Sequence, residues 1–206
     1  TLSSSEVDAS QIAVIPYGSP PALIEPTIPK LGFPLRVLYV GSLGQRKGLS
    51  YALDAIDALG SQVSLTLIGK PSSRECQQLN SALLRHHWIA SLSHELVLEQ
   101  MRKHDVLIFP TLFDGFGLVI TEALSQGLPV ITTPNGGGPE CIRDGIEGFI
   151  VPIRNSLAII ERLQQLIDDR ELLLAMRYAC LSRASELNWS QYQEGLALAV
   201  EPFLKY

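Results

Sequence analysis

The sequence predicts an α/β fold, a doubly wound and mostly parallel sheet followed by C-terminal helices. Three observations predict it. Short apolar runs without polar alternation, such as LRVLYV at 35–40, have the length of strands buried on both faces. Segments with apolar residues at helical spacing lie between these runs. Several runs also end directly at a glycine, where a strand gives way to a loop.

Taken in order, residues 11–15 (QIAVI) read as a short strand, and the proline-rich stretch 18–34 as an extended linker. Leu35–Val40 is a buried strand ending at Gly41. A helix over Leu49–Leu59 follows, with apolar residues at 49, 52, 53, 56 and 59. Val63–Ile68 is the next strand, ending at Gly69, and 72–85 is expected to be helical. A strand at 87–90 precedes a helix over 93–103 that opens on a Ser cap. Asp105–Phe109 is a strand, 117–126 a helix stopped by Gly127, and 129–132 a strand. One helical turn at 139–143 and a last strand at 148–151 come next, then helices over 156–168, 170–187 and 190–204. Trp88 and Trp189 are expected in the core.

Composition narrows the function. In 206 residues, 46% are hydrophobic and 18% charged, so a sizeable core is expected and disorder is not. A net charge of −5 leaves no basic footprint for nucleic acid. Cys76, Cys141 and Cys180 are far apart and form no CxxC, so neither a disulfide framework nor a zinc site is read, and reduced thiols suit a cytoplasmic protein. No apolar run approaches the roughly 18 residues of a membrane span. The chain begins at Thr1, not Met, as expected of a piece of a longer protein.

In such sheets ligands bind at the carboxyl ends of the strands. The loops 41–48, 69–72, 110–117 and 133–139 all follow strands, so they are expected to converge on one edge. In GSLGQRKG (41–48) the glycines let backbone approach a ligand, and Arg46 and Lys47 could neutralise an anion. Cations just before a helix oppose its dipole, which favours an anionic ligand there. In DGFGLVITE (114–122), Gly115 and Gly117 permit a tight turn whose amides can hold an anion. Glu122 lies further along the same segment and suits hydroxyl donors instead. Phosphate at a turn and hydroxyls at an acid describe a sugar nucleotide. NGGGPE (135–140) offers further amides, and Glu140 a further acceptor. The four histidines are scattered, without a Ser or Cys partner at a catalytic spacing.

These blocks carry a resemblance. VIPYG (14–18), VGSLGQRKG (40–48), DVLIFPTLFDGFGLVITEALSQGLPVI (105–131) and GGGPECIRDGIEGFIVP (136–152) resemble, in order, the C-terminal donor-binding domain of retaining family 4 glycosyltransferases. Those enzymes have the GT-B architecture of two facing Rossmann-like domains, so this chain would be half of one. The resemblance implies that 1–34 is an interdomain strand and linker and 35–188 the nucleotide-sugar domain. The helix at 189–206 would pack on an N-terminal domain lying outside the sequence. It implies catalytic roles for Lys47, at the donor diphosphate, and Asp114, near the donor sugar. Gly41, Ser42, Arg46, Gly69, Ile89, Gly115, Phe116, Gly117, Leu118 and Glu122 would complete the donor site, with Glu122 on the ribose and Gly69 and Ile89 at the nucleobase. Two residues depart from the family's pattern: Ser42 stands where an Arg is usual, and Asp114 where a Glu is usual.

The implied activity is metal-independent glycosyl transfer from a UDP- or GDP-sugar, with no cofactor beyond that substrate. The acceptor, a glycan or lipid-linked molecule, would be held by the other domain, and the full-length protein would be cytoplasmic or peripheral to the inner membrane face. Alone, this chain is expected to bind donor without transferring it. The alternatives are a module that binds but no longer transfers, and a sugar-nucleotide epimerase or phosphorylase-like relative.

Overall fold

A computed structural model describes residue 8 and residues 12–26, 34–73 and 75–204. In order come β1 (Leu35–Val40), α1 (Leu49–Leu59), β2 (Val63–Ile68), α2 (Gln77–Arg85), β3 (His87–Ile89) and α3 (His94–Lys103). Then follow β4 (Val106–Phe109), α4 (Val119–Ser125), β5 (Val130–Thr132), α5 (Gly138–Cys141) and β6 (Gly148–Ile150). Helices α6 (Ser156–Asp168), α7 (Arg170–Glu186) and α8 (Trp189–Val200) complete the series. Every pairing in the six-stranded sheet is parallel, and the order across it is β3-β2-β1-β4-β5-β6.

The unbroken apolar runs are explained by burial on two faces. Leu35, Val37 and Tyr39 of β1 enter one core with α1 and α6, while Leu38 enters the other with α3, α4 and α7. Only Arg36 and Val40 of β1 are partly exposed and its other four residues are buried, as expected of a covered parallel strand. Helix starts are fixed locally: the side chains of Ser93, Asn155, Asp169 and Asn188 accept the amides of Leu96, Ala158, Leu172 and Gln191. Each such cap contributes about 1 kcal/mol.

The strand order reverses between β1 and β4, because the chain leaves β1 toward β2 on one side and reaches β4 on the other. Such a reversal opens a crevice at the carboxyl ends of the two strands. The loops after β1 and β4 are its walls.

Some boundaries differ from those predicted. Gln11 lies outside the described residues, and 12–18 hold no strand. This segment runs along the α7–α8 junction instead, where Ser19 N–H donates to Leu187 O and its hydroxyl to Ala184 O at 2.8 Å. The linker prediction is met only over part of its length, because 27–33 lie outside the described residues. Helix α2 starts at Gln77, five residues later than Ser72, because both the amide and the hydroxyl of Ser72 donate to Leu43 O at 3.0 Å. Helix α4 starts at Val119 because Gly117, at φ +91°, is not helical. Trp88 and Trp189 are not core residues; they are 39% and 44% exposed. Trp189 rests on Gly18 and on the rings of Tyr17 and Tyr192. Among the described residues, no helix is long and apolar enough to cross a membrane.

Candidate functional site

The loop after β1 takes its shape from beneath. Tyr39 is buried and its hydroxyl donates to the carbonyls of Ser42 and Lys47, at 3.2 and 3.4 Å. Burial pushes that phenol well above its ordinary range, so it stays a neutral donor. Gln45–Lys47 form one 3-10 turn, and Gly48 then starts α1 at φ +70°. A Cβ at Gly48 would lie 1.8 Å from Pro110 O, so only glycine lets the β1 and β4 loops meet. They are sewn together there: Leu112 N–H donates to Arg46 O at 2.9 Å, and Arg46 Nη1 to Phe113 O at 3.1 Å.

The loop after β5 holds the β4 loop from the other side. Asp114 N–H donates to Asn135 O and Asn135 Nδ2 to Leu112 O, both at 2.9 Å. Gly137 N–H donates to Phe116 O, and a Cβ on Gly137 would strike the Phe116 ring at 2.7 Å. The loop after β2 joins through Gly41 N–H to Ile68 O and Leu43 N–H to Lys70 O, both at 2.9 Å, and Gly69 N–H donates to Ile89 O at 3.0 Å. All four predicted loops therefore do meet at one edge of the sheet.

Between them lies a cleft of about 370 Å³ lined by Val40, Gly41, Lys47, Phe109, Asp114, Phe116, Gly117, Leu118 and Val119. Lys47 Nζ donates to Asp114 Oδ2 and lies 5.0 Å from the centre of the Phe109 ring. Both side chains are largely buried, at 14% and 16% exposure, so the pair is poorly screened. Beside it, the amides of Gly115, Phe116, Gly117 and Leu118 have no protein acceptor among the described residues. A cation and a carboxylate thus face one space, with successive free donors in the adjoining turn. Larger grooves of about 710 and 720 Å³ lie between α1 and α2 and at the opposite strand edge, away from these loops.

Not every predicted residue lines the cleft. Arg46 is turned to Phe113 O, leaving Lys47 as its cation. Ser42 is exposed, as is Gly115. Gly69 and Ile89 form a neighbouring wall through their backbone bond. Glu122 sits one turn into α4, 20% exposed, with Oε1 3.1 Å from His94 Nε2. Of Glu140, the carbonyl accepts from Arg183 Nη2 at 2.8 Å, and Oε2 is buried without a partner among the described residues. Sequence reasoning missed His94, Phe109 and Asn135. The available signal for His94 was its place directly after the Ser93 cap, at the same sheet edge as the loops. Among the described residues, no three His, Cys, Asp or Glu gather as metal ligands would.

The fold is that of a Rossmann-like domain with a cleft at the strand carboxyl ends, and it matches half of a GT-B architecture. The chain belongs to the family described as glycosyl transferases group 1, whose model matches residues 27–181, and it corresponds to a C-terminal domain of such enzymes. It is 29% identical over 154 residues to D-inositol 3-phosphate glycosyltransferase of Streptomyces griseus, covering 69% of this chain and 32% of that protein. Sucrose-phosphate synthase from Thermosynechococcus elongatus has a similar structure, with a TM-score of 0.76, 22% identity and coverage of 94% of this chain and 53% of that one. Anabaena HepE, solved with UDP and glucose, superposes with a TM-score of 0.71 and 19% identity, covering 84% of this chain and 49% of that one. The chain thus spans about half or less of the length of these proteins.

Proposed function

We propose that this chain is the donor-binding half of a retaining, metal-independent glycosyltransferase that uses a UDP- or GDP-sugar. The observation that carries the proposal is the cleft between the β1 and β4 loops, where the Lys47 ammonium faces Asp114 beside four unpaired amides. In this reading the diphosphate accepts from Lys47 and from the amides of 115–118. The donor sugar lies at Asp114, the ribose hydroxyls donate to Glu122, and the base rests on the Gly69–Ile89 wall. As the glycosidic bond breaks, negative charge grows on the leaving diphosphate. A lysine and fixed amides in a poorly screened cleft stabilise that charge most at the transition state, which is the role a divalent metal would otherwise fill. Asp114 is engaged by Lys47 and is read as a contact to the sugar, not as a nucleophile, with the acceptor attacking from the face the leaving group vacates. Ser42 supplies no second cation, so Lys47 carries the diphosphate with the amides alone.

The glycan or lipid-linked acceptor would be held by a further domain of a protein about twice this length. The exposed Leu196, Leu198 and Val200 of α8 fit a helix that packs against that domain. The comparisons favour neither an epimerase nor a binding-only module. Support for UDP comes from HepE, solved with UDP and glucose. The test is a thermal-shift panel of UDP-, GDP- and ADP-sugars on the 206-residue chain. One nucleotide series should raise the melting temperature in proportion to the logarithm of its concentration above Kd. No stabilisation by any of the three would contradict the proposal.

A further inference from the structure

His94 is the first residue of α3 and Glu122 belongs to α4, two helices that pack on the same face of the sheet. Their side chains meet with Nε2 3.1 Å from Oε1. The bond has little to do for the fold. His94 is 57% exposed, and exposed ion pairs contribute only about 0–1 kcal/mol. Helix α3 is already capped by Ser93, which accepts the Leu96 amide, and anchored by buried Met101. Glu122, by contrast, gains a defined direction from it. A glutamate has three rotatable bonds, and a donor on Oε1 restricts the carboxylate while leaving Oε2 and the second lone pair of Oε1 open. Two adjacent hydroxyls need two acceptor sites at a fixed spacing, and a carboxylate held in one orientation provides them. His94 Nδ1 has no protein partner among the described residues, so the ring is tied at one nitrogen only.

We infer that His94 is a positioning residue that orients Glu122 toward the vicinal hydroxyls of the donor's ribose, and so sets the preference for ribonucleotides over 2′-deoxyribonucleotides. This rests on the proposed donor site, and it adds to that site a residue on a different helix. It requires Nε2 to carry a proton and donate to the carboxylate. A substitution that restores a donor at that reach should therefore restore the preference.

The test is calorimetric titration of the chain with UDP and 2′-deoxy-UDP, and in parallel with GDP and 2′-deoxy-GDP. The wild type should prefer the ribonucleotide of the pair it binds by about tenfold, roughly 1.4 kcal/mol. His94→Ala should bring the ratio close to one by weakening the ribonucleotide alone, and His94→Gln, which keeps an amide donor, should recover most of it. A ratio unchanged in His94→Ala, or both nucleotides weakened equally, would overturn the role of His94 while leaving the donor site intact. A wild type that binds nucleotide with no ribose preference would instead remove the ribose role of Glu122, and that of His94 with it.

Discussion

Lys47 and Asp114, 67 residues apart in sequence, form an ion pair across the cleft that separates the β1 and β4 loops. The carboxylate occupies the very cation assigned to the diphosphate. A nucleoside diphosphate must share or take over Lys47 and meets the negative charge of Asp114 as it does so. Asp114→Asn should accordingly tighten binding of the bare nucleoside diphosphate, by about three- to tenfold, since like charges in a poorly screened site disfavour one another. Calorimetry with UDP reads this directly. Weaker binding in the variant would mean that Asp114 holds Lys47 in place rather than competing for it.

The meeting of the two loops depends on Gly48. Alanine there must adopt φ +70° with its Cβ 1.8 Å from Pro110 O. The unfavourable backbone alone costs about 1–3 kcal/mol, and the overlap adds to it. Gly48→Ala should lower the urea midpoint clearly, and a midpoint equal to wild type would show that the loops can part without loss.

A second buried charge group lies at the opposite end of β4. Asp105 accepts from Arg36 Nε and Nη2 at 3.0 and 2.9 Å, and Arg177, 1% exposed, reaches it at 3.5 Å. Removing the shared carboxylate takes a counter-charge from Arg36 and from buried Arg177 at once. Asp105→Ala should cost about 3–5 kcal/mol of stability, measured by denaturant unfolding. A loss under 1 kcal/mol would indicate that the backbone carbonyls around Arg177 suffice.

Burial lowers the His104 pKa below 6.5, with Arg36 and His87 acting in the same direction and the Gln100 carbonyl and Asp105 opposing them. Its neutral ring donates Nδ1–H to Gln100 O at 2.6 Å and accepts from the Thr66 hydroxyl at 2.9 Å. The unfolded chain therefore binds a proton here at higher pH than the folded one. Stability should be full above pH 6.5 and fall as the pH drops below it toward the folded value. Melting temperature against pH should decline less steeply between about 7 and 5 in His104→Gln. Equal slopes would contradict the assignment.

Cys76 is exposed, whereas Cys141 and Cys180 are buried. Burial pushes the Cys141 thiol up to about 12 and the Cys180 thiol well above its ordinary value, so neither is a nucleophile in the folded state. A chromogenic disulfide should titrate one thiol in the native chain and three after denaturation. Three fast native thiols would contradict the packing of α5 and α7 on the sheet.

The sequence made some of this legible and hid the rest for physical reasons. The bounds of β1 and β2 could be read from the residues because strands covered on two faces appear as apolar runs, and those of α1 because its apolar residues recur at helical spacing. QIAVI misled because an apolar run looks the same whether it pairs with a strand or lies along a helix junction. The late start of α2 depends on Ser72 meeting Leu43 O across 29 residues, which no local propensity records. The convergence of loops was readable from strand–glycine boundaries, so Lys47 and Asp114 could be placed at one edge. Their direct pairing, the turning of Arg46 to Phe113 O, and the reach of His94 to Glu122 depend on side-chain directions that spacing does not carry.

The claim at the centre is that Lys47 holds the donor diphosphate. Titrating UDP and GDP into wild type and Lys47→Ala by calorimetry tests it most directly. The expected result is a Kd raised more than tenfold, about 1.4 kcal/mol or more, for the nucleotide the wild type binds. An unchanged Kd in a folded Lys47→Ala chain would place the phosphates elsewhere and contradict the account.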